Sequence, residues 1–359
     1  MAVDLISFPK TIQQLKGGWE AAGSPRKLWA RFEDFFSSHG LELWVESDPP
    51  PGFAVSFVVP PDDRPRQLDG FSYRIPDVPD APQRYPHRNG THCPARTVDG
   101  QDVMIRVVSI GSDGTNQREA LLRLATGTIA SAVGNPCVPV LRWLVFEDIH
   151  FAVQPFLSFI GLSQQFIFET LDNLLEVLRH MLEALQFCHD RRVAHLDVFY
   201  ENWLVNLYGA PLLDDQPQQG SEKPEPTALR TIPHFKIYLN DFECAACFDP
   251  GSDPETHLLS GMPILNYGRS IPREMRLGLP YNPFPHWALH PVPVDIWHLA
   301  GIIQQTQGFK RVPDSFREFV RRMRSYYADE RPTAAEALAD LAALRSQYDA
   351  VDLSASLYD

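Results

Sequence analysis

The chain has 359 residues, 44% of them apolar and 21% charged, with a formal charge of −13. That length suits one two-lobed fold or two compact domains, each with a full hydrophobic core. The acidic balance argues against nucleic acid or an anionic membrane as the main partner, since both favour a basic face, and no apolar run reaches the ~20 residues of a membrane helix.

The five cysteines, at 93, 137, 188, 244 and 247, are odd in number and scattered. They imply reduced thiols and a cytosolic or nuclear setting. Residues 1–18 lack the apolar core of a secretory signal. The close pair Cys244-x-x-Cys247 has no second pair to complete a zinc site. Proline is the outlier: 32 residues, nearly twice the ordinary share. The prolines cluster at 49–65, 76–94 and 280–293, which read as extended connectors.

In chain order, the first expected element is a helix from Pro25 to His39, with Leu28, Trp29, Phe32, Phe35 and Phe36 on one face. Asp99-Gly100 is a hairpin turn signal. It precedes Val103–Val108, a β-branched run expected to be a buried strand. Asn116 to Ala132 reads as a helix, with Asn116 and Glu119 in capping-box spacing. Val138–Phe146 and Phe151–Phe156 read as strands. Leu171, Leu174, Leu178, Met181, Leu185 and Cys188 then mark a long amphipathic helix ending near His189. Further helices are expected over Asp295–Gln307, Asp314–Tyr326 and Ala334–Leu344, the last opened by the capping box Thr333-x-x-Glu336. The polar, proline-rich stretch 207–231 reads as a flexible insert.

The chemistry lies after the long helix. His195-Leu196-Asp197 is followed by Asn202 and the short strand Trp203–Val205. Later, Lys236–Leu239 leads to Asp241-Phe242-Glu243. This arrangement resembles the protein-kinase catalytic loop H-R-D-x-x-x-x-N followed by D-F-G. Ile271-Pro272-Arg273-Glu274 is similar to the A-P-E that ends the activation segment. Val294–Gly301 is similar to the central helix of the large lobe, and Asp329-Glu330-Arg331-Pro332 to a late motif of that lobe. Val103–Val107 resembles the V-A-I-K strand. The resemblance spans about residues 70–345 and includes divergent kinase-like proteins of some fungi.

The resemblance implies an α+β, bilobal protein kinase-like fold. Residues 1–69 become an N-terminal extension, 70–156 a small β-rich lobe, 157–350 a large helical lobe and 351–359 a tail. It implies ATP and Mg²⁺ as cofactors. Asp197 takes the hydroxyl proton, and Asn202 and Asp241 hold the metal through hard oxygen ligands. Arg106 stands for the V-A-I-K Lys. Glu119 is either its helix partner or a simple cap. Val153, Gln154 and Phe156 form the inter-lobe hinge that meets an adenine ring. His195 is structural, Asp295 bonds catalytic-loop backbone, and Arg331 pairs with Glu274. A protein substrate and a monomeric state complete the expectation.

The departures are specific. Arg106 brings a planar fork in place of a point charge. Gly90 is the one glycine left of the phosphate loop, with Tyr85 and His87 where two others belong. Leu196, Phe199 and Glu243 replace the Arg of H-R-D, the catalytic-loop Lys and the Gly of D-F-G. Three functions therefore compete: an ATP-dependent Ser/Thr protein kinase, a pseudokinase serving as a binding module, and a small-molecule phosphotransferase of the choline-kinase or aminoglycoside-kinase type.

Overall fold

The β-branched run around Val103 forms the strand Asp102–Ile110, and a five-stranded antiparallel sheet is built on it. The computed structural model describes residues 8–17, 25–48, 57–63, 67, 73–74, 84–87, 89–159, 170–208, 236–260, 270–277, 288–306 and 308–357. The insert read at 207–231 lies outside the described residues from 209 onward. The chain divides into two compact units. One is Met1–Arg118, Val138–Ser158 and Asn206–Leu212; the other is Glu119–Cys137, Phe159–Val205 and Leu213–Asp359.

In the first unit the sheet order is Leu41–Leu43, His92–Thr97, Asp102–Ile110, Ile149–Pro155 and Arg142–Phe146. The hairpin expected at Asp99-Gly100 forms, with Gly100 at φ +86°. At its base Arg96 faces Asp102 across the pair. The guanidinium grips that carboxylate with Nε to Oδ1 at 2.9 Å and Nη2 to Oδ2 at 3.2 Å. Such a fork is the geometry in which a buried pair recovers its desolvation cost.

One face of the sheet buries Val103, Ile105 and Val107 against Leu28, Trp29, Phe32 and Phe36. Phe36 meets Phe151 edge-on at 5.1 Å, a favoured aromatic geometry. The helical stretch before the sheet is Pro25–Trp29, a 3₁₀ turn at Ala30–Phe32 and Glu33–Ser38. These residues share one core with the sheet. On the other face Met104 packs with Trp44, Val58, Tyr85 and Phe156.

The connection from Leu43 to His92 holds a small sheet of Val45–Ser47, Phe57–Val59 and Tyr85–Pro86. Gly90, read as the last glycine of a phosphate loop, is engaged with the helical stretch before the sheet. Its N–H donates to Leu15 O at 3.1 Å, and its carbonyl accepts from Trp29 Nε1 at 3.0 Å. A Cβ there would lie 2.8 Å from Leu15 O. The glycine is required because two backbones touch.

The second unit is mainly helical. Thr170 caps the helix Leu171–Asp190 by accepting from Asn173 N, and Leu174, Leu178, Met181, Leu185 and Cys188 form its buried stripe. The expected capping box opens Ala334–Arg345. The central helix is Val292–Gln305, and Asp314–Met323 follows. Arg331 Nη2 donates to Glu274 Oε2 at 3.0 Å, and its Nη1 to Glu274 Oε1. Its other bonds go to Ser325 O and Pro293 O.

Two expectations are corrected. The helix read from Asn116 to Ala132 runs only from Thr115 to Leu124. Asn116 therefore lies inside it, and the Asn116–Glu119 capping box is absent. The strand read from Val138 begins at Arg142, because Pro139 has no N–H to give a ladder. No helix among the described residues is long and apolar enough to cross a membrane. The fold class is α+β.

Candidate active site

Asp295 organises the loop that carries Asp197. It is fully buried, at 0% exposure. Its Oδ2 accepts from His195 N at 2.8 Å and its Oδ1 from Leu196 N at 2.6 Å. His189 Nε2 bonds the same carboxylate at 2.9 Å. Burial raises the pKa of Asp295, but the hydrogen bond and charge of His189, the charge of His195 and the His195 N–H outweigh burial. Together they hold the carboxyl below its ordinary value.

This anchoring supports an unusual backbone. Leu196 has φ +63° and Asp241 φ +62°, in the left-handed region that costs a non-glycine residue of order 1–3 kcal/mol. Leu196 precedes Asp197, and Asp241 is itself the second acidic residue singled out in the sequence. Leu196 is buried with Cys244, Met275, Leu289 and Val294, which secures the turn. Asp241 opens the 3₁₀ turn Phe242–Cys244, and Phe242 packs edge-on to His195 at 4.9 Å.

The two acidic turns are joined. His195 Nε2 and Asn240 O lie 2.8 Å apart, so the ring donates there. Asn240 N donates to Asn202 O at 2.8 Å, and the strands Trp203–Val205 and Ile237–Leu239 pair antiparallel. Asn202 Nδ2 donates to Asp197 O and to Asp197 Oδ2, both at 2.7 Å. Asp197, Asn202 and Asp241 therefore hang on one network whose buried fixed point is Asp295.

The donor chemistry fits Mg²⁺. The Asn202 amide nitrogen is committed to Asp197, so its oxygen is the end left to meet a cation. With the Asp241 carboxylate it supplies hard oxygens of the kind Mg²⁺ takes while keeping several waters. Among the described residues no group of three or more His, Cys, Asp or Glu is placed to hold a metal.

In the first unit Arg106 is buried, at 3% exposure. Gln117, its amide oxygen turned to the guanidinium as the bonding pattern requires, accepts from Nη2 at 3.0 Å and from Nε at 2.7 Å. Glu119 pairs with Arg123 one turn on, and its side chain is 54% exposed. Gln117 is the helix residue that sequence reasoning missed. A signal existed: Gln117 shares helical spacing with buried Ala120, Leu121 and Leu124, whereas Glu119 does not.

Val153, Gln154 and Phe156, expected to form a hinge, are already engaged. Val153 O accepts from Leu141 N at 2.8 Å, and Phe156 N donates to Asp102 O at 3.3 Å. The Gln154 side chain reaches Val138 O at 3.4 Å. Phe156 stacks on Trp44, with ring centroids 5.1 Å apart. Backbone bonds beside the strands thus already occupy the Val153 carbonyl and the Phe156 N–H, two of the groups expected to meet an adenine ring. Phe199 meets the His298 ring at a tilt, with centroids 4.6 Å apart.

No family model matches the chain, and no curated protein matches it. Solved structures do resemble it. The Rad53 kinase domain with SCD2 is 15% identical, with a TM-score of 0.40 over 69% of this chain and 81% of that one. The same protein in complex with AMPPNP is 13% identical, with a TM-score of 0.40 over 69% and 85%. The twitchin kinase region from C. elegans is 13% identical, with a TM-score of 0.48 over 74% of this chain and 45% of that one. Similarity of this size assigns no activity or residue role to the chain.

Proposed function

We propose that the chain is a kinase-like phosphotransferase that binds ATP with Mg²⁺ and transfers the γ-phosphate to a Ser or Thr hydroxyl of a protein. The observation that supports this reading best is the single network joining Asp197, Asn202 and Asp241, with left-handed backbone at both acidic turns. Strain of that kind gathers at functional sites, where the surroundings hold it.

Asp197 is the proposed general base. Its carboxylate takes the proton from the attacking hydroxyl, a role ordinarily worth about 10²–10⁴ in rate. Asn202 and Asp241 are the proposed metal ligands, and bound Mg²⁺ neutralises charge on the transferring phosphate. Arg106, set by Gln117, is the proposed phosphate-binding cation. A planar guanidinium takes phosphate oxygens in pairs.

A second reading, a pseudokinase acting as a binding module, is favoured by two observations. Gly90 packs against Leu15, and the Phe156 N–H is bonded to Asp102, so neither is free to grip a nucleotide.

The deciding experiment incubates the full chain with γ-labelled ATP, Mg²⁺ and either a mixed protein substrate or a set of amino alcohols and amino sugars. The proposal expects label on protein Ser or Thr. Label on the small acceptors alone, or on neither, overturns it. Neither, together with Mg²⁺-dependent nucleotide binding, establishes the binding module.

A further inference from the structure

Two thiols that the proposed chemistry does not use face each other inside the second unit. Cys137 Sγ lies 3.9 Å from Cys188 Sγ, across 51 residues of sequence. Both side chains are buried, at 1% and 0% exposure. Cys188 sits in the last turn of the helix Leu171–Asp190. Cys137 lies just beyond the exposed stretch 131–134. The two sulfurs are thus held in contact by different parts of the fold. The C-x-x-C pair singled out in the sequence differs: Cys244 is buried in a 3₁₀ turn, and Cys247 is half-buried on a two-residue strand.

We propose that Cys137 and Cys188 are a modification site, a dithiol that closes to an intramolecular disulfide with a small diazene oxidant and reopens with a thiol reductant. A disulfide needs the sulfurs at about 2.05 Å, so from 3.9 Å they must approach by about 2 Å. The hydrogen bond with Cys137, together with burial, raises the Cys188 thiol well above its ordinary value. Only the thiolate attacks, so closure proceeds when the segment opens locally. The exposed stretch before Cys137 makes its sulfur the first to meet the oxidant.

The step balances as follows. The Cys137 thiolate adds to one nitrogen of the N=N bond and forms an S–N bond. The Cys188 thiolate then attacks the Cys137 sulfur. The S–S bond forms, the S–N bond breaks, and the reagent leaves as its hydrazine with the two protons the thiols gave up. Two thiols are oxidised, and one diazene is reduced by two electrons.

The crosslink would fall beside the acidic turns whether or not they transfer phosphate. Leu239 N donates to Pro136 O at 2.7 Å, and Cys137 bridges to Leu239, two residues before Asp241. Cys188 precedes His189, which bonds Asp295.

The test treats the purified full chain with diamide, blocks remaining thiols with an alkylating agent after denaturation, and maps peptides without reduction. The expected result is a Cys137–Cys188 linked pair, lighter than its two free peptides by two hydrogens. It disappears on treatment with dithiothreitol and is absent from C137A and C188A. Full alkylation of both thiols in wild type while Cys247 has reacted overturns the proposal. A link confined to Cys244 and Cys247 does so too. The wild-type map decides the matter without relying on either variant to fold.

Discussion

Replacing Asp295 with Ala lowers unfolding stability by about 3–5 kcal/mol, the range for removing one partner from a buried charged network. The His195 and Leu196 N–H groups and the His189 ring would lose their acceptor. The conservative D295N also fails to restore the site, because an amide presents one oxygen and one donor to three donors. Urea unfolding of D295A and wild type measures the difference. A loss under about 1 kcal/mol would mean that Asp295 is not the fixed point of the loop.

The same carboxylate gives the acid sensitivity a sign. The Asp295 pKa is lower folded than its ordinary 3.8. Its contribution is therefore complete above 3.8 and is lost as pH falls through the lower folded value. His87 acts earlier. Burial first, and the nearby Arg26 charge second, bring its pKa from 6.5 to about 4. The folded state thus favours neutral imidazole, while the unfolded chain binds a proton below 6.5. Stability is full above 6.5 and falls as pH drops toward 4. Melting temperature measured from pH 7.5 to 3 is expected to fall gradually below 6.5 and more steeply below 4. H87F reduces the first part of the decline, to which the lowered His150 and His257 also contribute, and leaves the second.

Replacing Asp197 with Asn lowers the rate of phosphate transfer by about 10²–10⁴ with little change in KM for ATP. The new amide oxygen still accepts from Asn202 Nδ2, which now donates to Asp197 Oδ2 at 2.7 Å, so the network and the melting temperature survive. What is lost is the capacity to take a proton. Single-turnover transfer by D197N and wild type, with melting curves alongside, separates chemistry from folding. A wild-type rate in D197N would remove Asp197 from the mechanism.

The long helix Leu171–Asp190 was legible because its buried positions recur every three or four residues, and the hairpin because Gly100 takes a left-handed turn. The order of Asp197, Asn202, Asp241, Glu274, Asp295 and Arg331 was legible because each stands in a short motif. Other features depend on distant partners. The helix expected to reach Ala132 stops at Leu124 because Asn135 Nδ2 donates to Leu124 O at 2.8 Å and to Ile129 O at 2.7 Å. The local signal is Gly127, three residues past the helix end at φ +65°, a conformation that glycine favours. The strand Leu41–Leu43 is three residues long and is fixed by its pairing with Ala95–Thr97, so it gave no period to read. Gly90 invited a phosphate-loop reading because a glycine's purpose is set by what touches it, here Leu15 O.

Whether Asp241 holds a metal-bound nucleotide is read from the melting temperature with saturating ATP, with and without Mg²⁺, in wild type and D241N. A ligand at 100 times its dissociation constant adds about 2.7 kcal/mol, a shift of roughly 3–4 °C for a chain this size. The expected result is a shift in wild type that requires Mg²⁺ and is lost in D241N. No shift in wild type, or an equal shift in D241N, would contradict it.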